Sequence, residues 1–159
     1  MPYQARLELL GLKLLPVPKP IGNFSNFVQT GSLIFMSGQG PREADGTLHR
    51  GKVGADVSAE EAYEHARLTG LNLLSVLADI IGDLSRVSRV VKLLGFVNAV
   101  DTFTSHPEVL NGCSDLFTTV FGDVGIHARS AIGVGSLPNN ISVEIEAIFE
   151  LRQEQGLAQ

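Results

Sequence analysis

One stretch, residues 127–150 (HARSAIGVGSLPNNISVEIEAIFE), constrains the fold of this chain more than any other, because two runs of alternation flank a turn-forming tetrad. In residues 129–136, Ser130, Ile132, Val134 and Ser136 fall on one face and Arg129, Ala131, Gly133 and Gly135 on the other, which is the two-residue period of a strand. Leu137-Pro138-Asn139-Asn140 is turn chemistry, since Pro presets φ and Asn tolerates the left-handed region. The alternation then resumes over residues 142–150, where Val143, Ile145, Ala147 and Phe149 make an apolar face suited to lie under helices. The pattern predicts a β-hairpin. If its turn pairs Ser136 with Ile141, Arg129 and Glu144 share a sheet face, and a slip of one residue separates them.

Arg129 stands among very small neighbours. A guanidinium over a floor of Gly and Ala leaves a concavity beside a fixed fork of donors, which suits a carboxylate held bidentately. An Arg that closes an ion pair at a sheet edge or subunit interface would look the same, and Glu144 and Glu146 read equally well as solvated or interface charges. Periodicity does not choose.

The rest of the chain supplies the layers around this stretch. Pro2, Leu7, Leu10 and Gly11 outline a short amphipathic helix, and residues 12–20 hold three (Pro16, Pro18, Pro20) of the seven prolines, which demands an extended connector. Residues 27–30 and 33–37 read as a hairpin about Gly31-Ser32, and it leads into Gly38-Gln39-Gly40-Pro41, where two glycines let a ligand approach backbone amides. Asp45-Gly46 marks a turn. Ser58 with Glu61 makes a capping box, and Ala62, Ala66, Thr69, Leu73, Val76 and Ile80 recur at helical spacing, predicting one helix over 59–81. Residues 86–101 are rich in β-branched residues and read as a long central strand. Ser105, Pro107 and Glu108 start a second helix with Leu110, Ser114, Phe117 and Phe121 on one face, and Gly122 stops it. The order ββαβαββ, with hairpins at both ends, predicts an α+β fold with helices layered on a mixed sheet.

Composition narrows the function. A net charge of -5, with 12 scattered Lys and Arg, argues against an electrostatic footprint for nucleic acid or anionic lipid. The most apolar window, residues 71–84, is interrupted by Asn72, Ser75, Asp79, Gly82 and Asp83, too polar a set for a bilayer. Cys113 is the single cysteine, which excludes an internal disulfide and a thiolate metal cluster and suits a reducing compartment; it reads as a small helix residue. His49, His65, His106 and His127 lack companions at metal spacing. The expected location is the cytoplasm.

Ala128-Arg129-Ser130, Leu137-Pro138 and the block from Val143 through Ile148 together resemble the signature of the RidA/YjgF/UK114 family of reactive intermediate deaminases. Ile21-Gly22-Asn23-Phe24, the block from Phe35 to Pro41, and Asn111 followed by Phe117 fall in the order of that family's other landmarks, so the resemblance covers residues 21–151. With the N-terminal helix and connector (1–20) before it and an expected frayed tail (153–159) after it, the resemblance implies a RidA-like domain over 21–152. It also implies a chorismate-mutase-like α+β fold, a mixed sheet packed on two helices, assembled as a homotrimer with pockets between subunits. The residue matching Arg129 holds the carboxylate of a 2-imino acid, and the one matching Glu144 positions the attacking water. Phe24, Ser37, Gly38, Asn111 and Ala131 match substrate-binding positions. The products are a 2-keto acid and ammonia, and no cofactor is required.

Two positions depart from the family's pattern. Phe24 stands where many members have tyrosine, and Ala131 where many have cysteine, so a hydroxyl and a thiol are missing from the pocket. The segment between Asn111 and Arg129 is also one residue longer than usual. These changes keep the carboxylate clamp and make the space around the imine less polar. Three readings follow: an imine deaminase, a non-catalytic trimer that binds a small carboxylate, and an RNA-acting protein, which the acidic charge disfavours.

Overall fold

The computed structural model describes residues 1–20 and 22–154. Ile21, the first landmark of the resemblance, and most of the expected tail lie outside the described residues. Helix α1 (Tyr3–Leu9) is followed by the extended connector, and strands β1 (Phe27–Thr30) and β2 (Leu33–Gln39) form the first hairpin. Gly31 turns it at φ +57, a conformation that costs a glycine little. Helix α2 (Ala59–Ile81) starts where Ser58 Oγ accepts from the Glu61 backbone N–H at 3.1 Å and stops at Gly82. Strand β3 (Val87–Asn98), helix α3 (His106–Phe121), β4 (Ala128–Val134) and β5 (Val143–Leu151) complete the fold.

The expected hairpin over 127–150 does not form. The five-stranded sheet runs in the order β1-β2-β5-β3-β4, so β3 lies between the two strands expected to pair. β4 runs parallel to β3, and β5 runs antiparallel to both β3 and β2. The reason is the competing partner: β3, at 12 residues the longest strand, offers two edges, and the β3-α3-β4 crossover delivers β4 parallel to one of them. β5 takes the other. The turn chemistry itself is as read, with Asn139 and Asn140 at φ 56 and 57.

This register sets the faces. Leu93 pairs with both Arg129 and Ala147, so Arg129 projects toward the face where Leu93 and Ala147 are buried under the helices. Leu73, Leu77, Leu110 and Phe117 pack there against Val90, Ile145 and Phe149. A methyl at Gly112 would collide with the Tyr63 carbonyl, so α2 and α3 touch through their backbones. Helix α1 joins the same layer, with Leu7 buried, Tyr3 edge-on to Phe121 at 4.8 Å and Arg6 Nη1 donating to the Val120 carbonyl at 2.9 Å. The opposite face leaves Val28, Phe35 and Ile132 63, 42 and 44% exposed. Among the described residues, no helix is long and apolar enough to cross a membrane.

Candidate active site

Arg129 is gripped by α3. Its Nη1 donates to Asn111 Oδ1 at 2.9 Å and Ser114 Oγ at 3.0 Å, and its Nη2 donates to the Pro107 carbonyl at 3.4 Å. Asn111 and Ser114 sit three residues apart, on one face of the helix. Behind them, His127 places Nε2 2.9 Å from Ser114 Oγ and Nδ1 2.6 Å from the Gly125 carbonyl. A carbonyl only accepts, so Nδ1 carries the proton and Nε2 accepts from the Ser114 hydroxyl, whose oxygen in turn accepts from Arg129. Burial pushes the His127 pKa down, the Gly125 carbonyl opposes that, and the Arg129 charge adds to it. The imidazole is therefore neutral beside the guanidinium.

Among the described residues, no carboxylate pairs with Arg129. Of a guanidinium's five N–H donors, the contacts within the chain commit three, leaving Nε and one hydrogen of Nη2. A cation braced on its rear and open at its front is arranged to receive an anion. Ala131, the next residue on this face of β4, adds only a methyl.

Glu144 belongs to a different face. It pairs with Phe96, whose partner on the other side is Ile132, and that row lies opposite the row of Leu93, Arg129 and Ala147. The shared face expected from the hairpin register is thus overturned, because β3 intervenes and changes the register. The Glu144 side chain is half-buried against the irregularity in β2 between Met36 and Gln39. There a methyl on Gly38 would stand 3.0 Å from Glu144 Cγ, Cδ and Oε2, so glycine is what admits the carboxylate. Burial raises the Glu144 pKa, and the Glu146 charge raises it further. A carboxyl poised nearer neutrality can both take and return a proton.

Glu144 opens into a cavity of about 350 Å³ that Phe24, Gly38, Gln39, Arg42 and Pro138 also line. Phe24 is 53% exposed and forms its outer wall. Ser37 braces the segment before β1: its hydroxyl donates to the Ser25 carbonyl at 2.6 Å and its N–H to the Asn26 carbonyl at 2.9 Å. The seven expected residues thus sort into two groups: Asn111 and Ala131 with Arg129 on the helix side, and Phe24, Ser37 and Gly38 with Glu144 on the other. Arg129 does not line the Glu144 cavity.

Other candidates resolve differently. His49 and His65, read as isolated, stack with ring centroids 4.5 Å apart, His49 Nε2 lying 2.8 Å from Glu43 Oε1 and His65 Nδ1 2.8 Å from Ser142 Oγ. Among the described residues, no group of His, Cys, Asp and Glu could hold a metal ion. Cys113 is buried, and burial pushes its thiol pKa up, which leaves no thiolate for chemistry. Sequence reading missed Ser114, His127 and Arg42. The spacing of Ser114 from Asn111 was the available signal for the first; nothing local marks the other two.

Residues 4–151 match the family described as "YjgF/chorismate mutase-like, putative endoribonuclease". The chain is 42% identical over 148 residues to Protein TCP17 of Trypanosoma cruzi, covering 92% of each. It is 29% identical over 136 residues to a 2-iminobutanoate/2-iminopropanoate deaminase of Dermatophagoides farinae, covering 82% of this chain and 88% of that one. The crystal structure of Atu1372 from Agrobacterium tumefaciens, a protein of unknown function, superposes with a TM-score of 0.87 at 42% identity over 94% of both chains.

Proposed function

The chain belongs to the YjgF/chorismate mutase-like family, its relatives include a 2-iminobutanoate/2-iminopropanoate deaminase, and from that premise we propose that it hydrolyses 2-imino acids to 2-keto acids and ammonia. The observation that carries the proposal is Arg129, a guanidinium fixed from behind by Asn111, Ser114 and Pro107 with no carboxylate of its own. The substrate carboxylate takes the free donors. Water adds to the imine carbon as Glu144 accepts its proton, the C–O bond forming while the imine π electrons pass to nitrogen. Glu144 then returns a proton to that nitrogen, and the C–N bond breaks with its electrons leaving on ammonia while the hydroxyl oxygen forms the C=O double bond and gives its proton back to Glu144. A protonated imine is already electrophilic, so positioning and one acid/base group, the latter contributing about 10²–10⁴-fold, suffice.

Within one chain, Arg129 and Glu144 point from opposite faces of the sheet. The proposal therefore includes a homotrimer in which Arg129 of one subunit faces Glu144 of the next, and the exposed apolar residues Val28, Phe35 and Ile132 support such packing. Phe24 and Ala131 favour one further reading, a trimer that binds a small carboxylate without turning it over, since both remove polar atoms from beside the imine. The charge of -5 supports a small acid over a polyanion as ligand.

Short-chain 2-imino acids generated in situ with an amino-acid oxidase and trapped by semicarbazide test the reading. The wild type should deplete the imine faster than buffer, and Arg129→Ala should not. Keto-acid-dependent thermal stabilisation without imine loss would instead establish the binding module. Co-refolding Arg129→Ala with Glu144→Gln should restore activity that neither variant shows alone; no recovery would place both groups of each site on the same subunit.

A further inference from the structure

Arg42 has no role in the reaction just described, yet it lines the same cavity as Glu144. It is half-buried, and among the described residues no carboxylate pairs with it. Its backbone is held from several directions. The Arg42 N–H donates to the Gly40 carbonyl at 3.0 Å, its carbonyl accepts from Asn72 Nδ2 at 2.9 Å, and Arg42 bridges to Leu48. Asn72 is 2% exposed in the middle of α2, so a buried polar side chain is committed to fixing where this surface arginine starts. A solvated charge on a loop needs no such anchor.

The cavity's charges are unbalanced. Arg42 and Lys19 contribute two cations and Glu144 one carboxylate, and the remaining lining is neutral. Phe24, Leu48, Pro138 and Ile141 wall the space with apolar surface, which lowers the local dielectric and strengthens any ion pair formed inside it. Arg42 Nη2 lies toward the Gly46 turn, where a methyl on that glycine would stand 3.6 Å away, so the guanidinium sits at the loop side of the cavity. If Glu144 acts on the imine carbon, a substrate side chain that ends in a carboxylate has a cation on that wall to pair with. One that ends in a methyl leaves that guanidinium without a partner.

We propose that Arg42 is a specificity-determining residue which receives a second substrate carboxylate, so that the preferred substrates are short 2-imino dicarboxylic acids, such as the imines of aspartate and glutamate. The inference rests on the deaminase reading above and names the substrate class of the same site. Charge-assisted hydrogen bonds contribute roughly 1.5–3 kcal/mol, which corresponds to about 10–100-fold in kcat/KM.

The experiment compares imines generated from aspartate, 2-aminobutyrate and leucine on the wild type, Arg42→Ala and Arg42→Lys. The wild type should favour the dicarboxylic imine by about 10-fold or more. Arg42→Ala should lose that preference through KM, leave the 2-aminobutyrate imine within about twofold, and be partly rescued by Arg42→Lys. A wild-type preference for the leucine imine, or an equal loss on all three imines in Arg42→Ala, would overturn the proposal.

If no imine is turned over, the deaminase reading fails and Arg42 is judged by binding alone. Thermal stabilisation by 2-oxoglutarate should then exceed that by 2-oxobutanoate in the wild type and fall to the same level in Arg42→Ala. Equal shifts, or none, would sink the assignment on its own.

Discussion

The two halves of the candidate site are built by opposite means. The Arg129 half stands on regular structure: a strand side chain braced by α3, with His127 behind Ser114 and most of its polar atoms committed. The Glu144 half is a carboxylate from a strand, but its surroundings are loop: the bulge at Gly38, the turn at Pro138 and Asn139, and the segment carrying Arg42. One half holds a charge by satisfying it, and the other holds a charge by partly starving it of solvent. Recognition benefits from the first condition and proton transfer from the second.

Substitutions should therefore separate activity from stability in different ways at the two halves. The largest effect falls on Glu144→Gln, which should lower kcat by about 10²–10⁴-fold. Its melting temperature at neutral pH should match or exceed that of the wild type. A carboxyl whose folded pKa is raised costs stability once ionised, so the variant's advantage is present well above the carboxylate range and disappears as pH falls below it, where both side chains are neutral. Thermal melts at neutral and acid pH check the sign; a variant less stable at both would show that the charged form is welcome in the fold.

Arg129→Lys comes next. It keeps the charge but loses the fork, and kcat/KM should fall about 10–100-fold while the melting temperature drops, because Asn111 and Ser114 lose a shared donor. Ser114→Ala should raise KM by roughly fivefold with kcat nearly unchanged, the loss of one hydrogen bond of about 1 kcal/mol. A fall in kcat instead would mean that Ser114 acts on the reacting atoms and not through Arg129.

The smallest effect lies outside both halves. Burial, then the neighbouring His49, lowers the His65 pKa. The unfolded chain therefore takes up a proton near the ordinary histidine pKa of 6.5 before the folded chain does, and stability falls as pH drops through that value. His65→Gln should flatten this acid-side decline without changing the pH dependence of kcat/KM. Melts between pH 7.5 and 5 would show whether the histidine stack is a stability element alone.

Much of this comparison was legible in the sequence. The α2 boundaries followed from the capping box of Ser58 and Glu61 and the helical spacing from Ala62 to Ile80, because caps and helical period are local signals. The β1-β2 hairpin followed from Gly31 for the same reason. The alternation in β4 and β5 correctly assigned which residues share a face within each strand, but it carries no information about which strand lies alongside. That depends on where β3 and α3 deliver the chain, a non-local outcome. Hence Arg129 and Glu144 were each placed correctly within their own strand, and the expectation that they share a face was wrong. Arg42 escaped for a related reason: what distinguishes it is a hydrogen bond from Asn72, thirty positions away in sequence.

The backbone contact between α2 and α3 at Gly112 gives the two halves of the site different tolerance to substitution. Because α2 and α3 meet at Gly112 with no room for a methyl beside the Tyr63 carbonyl, the helix that carries Asn111 and Ser114 is fixed against the core, and the placement of Arg129 inherits that rigidity. Around Glu144 the backbone is fixed too, by the glycine that the carboxylate requires at 38 and by the Asn72 hydrogen bond to the Arg42 carbonyl, but the side chains of Phe24 and Arg42 end in the cavity lining and not in the core. Substitution of either side chain should therefore retune what the cavity accepts without disturbing the packing that holds Arg129.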